Sequence, residues 1–136
     1  MRFRACMWIV VLAGLIVVSA GLLEAHHSIA NFWDQDKNIS ISGVVTVVKL
    51  VNPHPELKID VTEGGQKVQY VAFLRAGLAG LNKLGLDKAA FAPGTKITLD
   101  GHPPKAGKGK GIFVEALTLG SAKKIKLVED GAAAQP

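Results

Sequence analysis

Residues 39–51, ISISGVVTVVKLV, decide the fold. The run is dense in β-branched side chains, which are stiff at χ1 and pack well on a pleated surface. Period-two alternation places Ile39, Ile41, Val45 and Val47 on one face, with Gly43 between them. Val44, Val48 and Leu50 make the opposite face partly apolar too. A strand this long with an internal glycine is expected to bend there and serve two sheets. Asn52-Pro53-His54-Pro55 ends it, because two prolines cannot sit in a central ladder.

Downstream, LKIDVT at 57–62 alternates, with Leu57, Ile59 and Val61 inward and Lys58, Asp60 and Thr62 outward. Glu63-Gly64-Gly65-Gln66 is a hairpin signal, and KVQYVAFL at 67–74 is the returning strand. Leu78, Leu81 and Leu84 then recur at helical spacing, Gly85 suits a helix end, and Gly77 and Gly80 weaken the helix. Ala92-Pro93-Gly94 is a turn, and TKITLD at 95–100 is the fourth strand. A Gly/Pro/Lys loop from His102 to Gly111 leads to the fifth strand, IFVEALTL at 112–119. KKIKLV at 123–128 adds a short edge strand with lysines that discourage edge pairing. The order predicts a mainly β fold: a small OB-like (oligonucleotide/oligosaccharide-binding) five-stranded antiparallel barrel with one short helix between strands 3 and 4.

Upstream, Arg2 and Arg4 precede an uncharged stretch at 5–23, and small residues follow it. This is the pattern of a secretory signal at 1–25. Cleavage after Ala20 or after Ala25 fits, and an uncleaved anchor is the alternative, since about 17–25 residues span a bilayer. The expected organisation is a signal at 1–25, one barrel domain at 26–130 and a frayed tail at 131–136, with the protein in the periplasm or outside the cell. Membrane contact is expected only through the signal segment, if it stays uncleaved.

The whole chain has 136 residues, with Lys+Arg 16 against Asp+Glu 11 and a formal charge of +5. Removing 1–25 takes away Arg2, Arg4 and Glu24, leaving 14 basic and 10 acidic residues, or +4. The one cysteine, Cys6, lies in the signal, so no disulfide framework or thiolate zinc site is available. No GxSxG, Walker or GxGxxG pattern occurs. Ser28 near His27 lacks an orienting acid, and no carboxylate pair is selected for hydrolysis, so no enzymatic activity is expected.

Four motifs in order, His26-His27-Ser28, Phe32-Trp33-Asp34, Asn52-Pro53-His54 and Pro93-Gly94-Thr95-Lys96-Ile97, resemble those of a family of small secreted bacterial proteins of unknown function. The resemblance spans the mature chain and implies secretion and a small β-barrel; it implies no activity.

The candidate site residues are histidines and lysines. His26 and His27 stand at the expected mature N-terminus, His54 in the first interstrand loop, and His102 at the start of the fourth-to-fifth strand loop. An OB topology brings those two loops to one binding face. Thiol-free nitrogen and oxygen ligands suit Cu(II) or another divalent transition metal. A terminal His26 adds its own amine, and Asp34 or Asp36 an oxygen. Lys105, Lys108 and Lys110, interleaved with glycines, form a candidate seat for an anionic or protein partner. Trp33 is expected to cover an open end of the barrel. Few aromatics are left for base stacking, so nucleic acid is not an expected partner. The leading expectation is a secreted, non-enzymatic, small-ligand-binding barrel with a metal ion at one rim. The alternative is an envelope adaptor that binds an anionic or protein partner through its barrel face and lysine loop.

Overall fold

The computed structural model describes residues 31–127. The expected signal at 1–25, His26, His27 and the expected tail at 131–136 lie outside the described residues. The chain divides into two compact units, Met1–Phe32 and Trp33–Pro136, and the barrel belongs to the second.

Six strands and one helix follow in the order β1 (Ile39–Lys49), β2 (Glu56–Glu63), β3 (Gln66–Leu74), α1 (Leu78–Lys83), β4 (Lys96–His102), β5 (Gly111–Leu119) and β6 (Ile125–Lys126). The sheet order is β3-β2-β1-β4-β5-β6, and an additional β3–β5 pairing closes β1 to β5 into a barrel. Four of the five barrel pairings are antiparallel, and β3–β5 is parallel. The parallel pair is a matter of parity. Strand directions cannot alternate all the way round a ring of five, so one seam must join strands that run the same way. The β3 to β5 connection carries α1 and β4, which is ample chain for a parallel crossover.

The interior is filled by the inward alternation of every strand. Val45, Leu57, Ile59, Ala72, Leu74, Leu99, Ile112, Val114 and Leu117 are all buried in one cluster. Val47, expected inward, is instead 46% exposed, whereas Val48 and Leu50 pack against the core. The cause is a register shift between Val45 and Val47, which leaves Thr46 as an extra residue opposite β2. One added residue reverses the parity of everything after it. Gly43 is needed for a different reason. A Cβ there would lie 2.5 Å from the Asp60 carbonyl oxygen, so glycine permits the close approach of β2.

Helix α1 has Gly77 at its N-cap with no side-chain cap, but Asn52 Oδ1 accepts the Leu78 amide at 3.1 Å. The Asn-Pro-His loop is therefore tied to the helix that follows β3. Of the three leucines expected on one helix face, Leu81 is buried and Leu84 is exposed. Steps of three fall about 60° behind at each repeat, and the helix ends before Leu84. Leu86 and Phe91, beyond the helix, take the remaining core positions. The expected edge strand forms as β6, and Leu127 beside it is buried.

Candidate functional site

Two regions of the outer surface carry polar or aromatic groups in a defined arrangement. The first is the parallel seam. Phe73 and Phe113 face outward there as register partners. Trp33 lies over them, with ring centroids 5.5 Å from Phe73 and 5.9 Å from Phe113. The indole passes over Gly111, where a Cβ would come within 3.4 Å of it. Trp33 bridges to Pro104 and is only 6% exposed. It thus covers the outer seam rather than an open end, because the aromatic partners that bury it point away from the interior.

The segment after Trp33 is tied to the barrel at two further points and braced once within itself. The Asp34 amide donates to the Pro103 carbonyl at 2.9 Å, Lys37 Nζ pairs with Asp34 Oδ2 at 2.8 Å, and His102 Nδ1 meets the Lys37 carbonyl at 2.8 Å. That ion pair holds the Asp34 carboxyl below its ordinary range and raises Lys37.

His102 is the last residue of β4, paired with Phe113, rather than the first residue of a loop. A carbonyl only accepts, so Nδ1 carries the proton toward Lys37. The other nitrogen, Nε2, lies 3.4 Å from Glu115 Oε1, an ion pair when the ring is charged. Arg75 Nη1 also bonds Glu115 Oε1. His102 is thus fixed through Nδ1, with Nε2 turned toward Glu115, and its side chain is 12% exposed.

His54 is exposed in the β1–β2 loop, after a cis Asn52–Pro53 bond. The structure does not bring it to His102. Register runs from Glu56 to Phe73, then Phe113, then His102. Three strand-to-strand steps therefore lie between Glu56, two residues after His54, and His102. Among the described residues, no three His, Cys, Asp or Glu side chains gather as a metal site.

The lysines also divide. Lys110 Nζ bonds Glu63 Oε2 at 2.9 Å, lies 3.4 Å from the Tyr70 hydroxyl, and stands 5.4 Å from the Tyr70 ring centroid. Tyr70 donates to Glu63 Oε1. β5 joins β3 only from Val71 onward, so Lys110 reaches along the unpaired first half of β3. It acts as a strut at a barrel gap. Hydrogen bonds from Tyr70 and then Lys110 hold the Glu63 carboxyl below its usual value. Burial and Glu63 push the Tyr70 hydroxyl up, and Glu63 raises Lys110. Lys105 and Lys108 are exposed on the β4–β5 loop, whose turn is closed by the Lys108 amide on the Lys105 carbonyl at 3.1 Å.

The second region is a groove of about 420 Å³ across the outer face of β1, lined by Val44, Val45, Thr46, Asp60, Thr62, Lys67, Pro93 and Gly94. It forms where β4 begins alongside β1. The Val45 amide donates to Thr95 O at 2.9 Å and the Gly94 amide to Val45 O at 2.8 Å, and the turn at Pro93 leads the chain into this pairing. Thr46, the extra residue, has its hydroxyl fixed on Lys58 O at 3.1 Å.

Charge marks this groove out from the rest of the barrel. Glu56 pairs with Lys49, Glu63 with Lys110 and Glu115 with Arg75. Asp100 Oδ2 has Lys124 Nζ at 3.1 Å, an ion pair by distance without an aligned hydrogen bond. Asp60 is the one strand carboxylate among the described residues with neither an ion pair nor a hydrogen bond at its side chain. Lys67, at the other side of the groove, is likewise unpaired among the described residues.

Sequence reasoning placed Asp60 on the solvent side but gave it no role, and it passed over Lys67, Glu115 and Arg75. The two-residue Gly64-Gly65 turn is the available signal. It fixes Glu63 opposite Gln66, and so Thr62 opposite Lys67 and Asp60 opposite Gln69. Nothing local announces the approach of Pro93.

Fold and site together define a small OB-like barrel with one outer seam capped by its own tryptophan and one outer groove left open. The chain belongs to the DUF6152 family, a family of unknown function, which matches residues 14–114. A search of curated proteins gives no match.

Proposed function

We propose that this protein is an exported, non-enzymatic binding barrel that holds a small ligand in the groove across β1. The observation that carries the reading is Asp60, a carboxylate without a partner in a chain with a surplus of cations, set in a concavity beside a second unpaired charge. Small-ligand pockets have volumes of about 300–1,000 Å³ and combine apolar walls with a few polar groups. The groove fits that description, with Val44 and Pro93 as apolar walls.

Export is supported by Arg2, Arg4 and the uncharged stretch at 5–23. The histidine rim supports the reading less well, because no contact joins His54 to His102 among the described residues and His102 Nδ1 is bonded to the Lys37 carbonyl. A copper ion would draw chiefly on His26 and His27. The lysine-loop alternative is weakened because Lys110 is committed to Glu63 and Tyr70.

The test is native mass spectrometry of protein recovered gently from the envelope, beside a Val44→Trp variant. Val44 is 37% exposed, so tryptophan fills the groove without entering the core. The wild type is expected to carry a small-molecule adduct that the variant lacks. Equal adducts on both proteins, or none on either, would contradict the groove as ligand seat.

A further inference from the structure

We infer that Asn38 is an acceptor for an N-linked glycan. The inference goes beyond the groove reading and shares with it only export. Of the four asparagines in the chain, Asn38 alone opens an Asn-x-Ser/Thr triplet, Asn38-Ile39-Ser40. That triplet is the acceptor pattern for N-glycosylation of exported chains when its middle residue is not proline. Asp36 stands two residues ahead, so the full run reads Asp-x-Asn-x-Ser. The added carboxylate gives a transferring enzyme a charge to read with arginine.

The fold presents this run at the surface. Asp36 lies in the exposed turn that follows Trp33, and Asn38 is exposed just ahead of β1. No hydrogen bond holds the Asn38 carboxamide among the described residues. Ile39 packs against the core, while Ser40 is exposed on the outer face of β1. Asn38 and Ser40 flank the inward Ile39, as alternation along an extended chain requires. The backbone around them is fixed, with the Lys37 carbonyl on His102 Nδ1 and Ile39 and Ser40 paired with Gly101 and Asp100. A glycan on Asn38 therefore stands in solvent and displaces no core side chain.

The same pairing sets the order of events. An enzyme must grip the triplet as a free segment, and the β1–β4 ladder withdraws Ile39 and Ser40 from it. β4 begins only at Lys96, so the triplet crosses the membrane well before its strand partner. Transfer precedes folding. The donor is a polyprenyl-diphosphate-linked oligosaccharide. Asn38 Nδ2 bonds to its anomeric carbon, and the bond from that carbon to the diphosphate oxygen breaks. Polyprenyl diphosphate leaves with the electron pair, and the amide gives up one proton to the enzyme.

The experiment is expression of the full chain in a bacterial host that carries an oligosaccharyltransferase and its lipid-linked oligosaccharide. Denaturing mass spectrometry of the exported protein then reads only covalent additions, so the result is independent of any ligand in the groove. The wild type is expected to gain the mass of one glycan. Asn38→Gln and Ser40→Ala should lose it, and Ser40→Thr should keep it. All three should melt with the wild type, because both positions are exposed. Exported protein without glycan, in cells that modify a control acceptor, would overturn the inference. So would a glycan that persists in Asn38→Gln. Protein retained in the cytoplasm would overturn export, and this inference with it, while leaving the groove untouched.

Discussion

The barrel treats its two outer faces in opposite ways. Over the parallel β3–β5 seam, Phe73 and Phe113 project outward and are covered at once by Trp33, with hydrogen bonds from Asp34 and His102 fastening the covering segment. Across β1, Val44 and Val47 project outward with no cover among the described residues, beside charges that have no partner. The first face satisfies itself and the second does not. A small domain gains stability by finishing its surface, so the unfinished face is where an external molecule has something to add. The aromatic seam would otherwise attract attention as a stacking platform, but its own tryptophan already occupies it.

The largest expected effect lies on the covered face. Trp33→Ala should cost about 3–5 kcal/mol in urea denaturation, the usual range for truncating a buried aromatic. A change below about 0.5 kcal/mol, typical of surface sites, would mean that Trp33 is an ornament of the barrel rather than part of it. His102→Phe comes next. It keeps a ring at the position but removes the donor to the Lys37 carbonyl, and should cost about 1–2 kcal/mol, with faster amide exchange over 34–38 as the local readout.

The Glu63–Tyr70–Lys110 strut gives a smaller, pH-dependent effect. Glu63 is held below its ordinary value, so its contribution is present above the unfolded carboxylate pKa of about 4.3 and is lost as pH falls through the lower folded value. Tyr70 and Lys110 are raised, so their contributions are present below about 10 and are lost as pH rises through their folded values. Melting temperature followed against pH should therefore fall at both ends, and Tyr70→Phe should flatten both limbs. Unchanged limbs in that variant would remove the strut. The smallest effect belongs to the open face. Asp60→Asn should change stability by less than about 0.5 kcal/mol, because no partner is lost. A clear destabilisation would give Asp60 a structural role and bring the two faces closer together.

Most of the barrel could be read from local pattern. Alternation in β2 and the Gly64-Gly65 turn set both the inward face and the hairpin register, and Ile59 and Val61 are buried as that pattern requires. The β3–β5 seam is parallel where an antiparallel barrel was expected, because the directions of five strands cannot alternate all the way round a closed ring. What local pattern did not reveal was the parity change at Thr46. A bulge is decided by how two distant strands curve around a shared core, so nothing in VVTVV marks which residue is extra. The same limit applied to the histidines. Loop membership put His54 and His102 near one face, but the distance between them depends on how many strands intervene. For His102, the end of β4 and its bond to Lys37 come from long-range pairing. Lys110 resembled its loop neighbours in sequence, and only the barrel gap separates it from Lys105 and Lys108.

One measurement reaches the central claim directly. Amide resonances of the isotopically labelled protein are assigned, and a small-molecule extract of the native envelope compartment is added. The account predicts shifts at Val44–Thr46, Asp60–Thr62, Lys67 and Gly94, with the seam silent. Shifts confined to His102–Gly111 and the Trp33 segment would contradict it, and would move the ligand to the face that now looks complete.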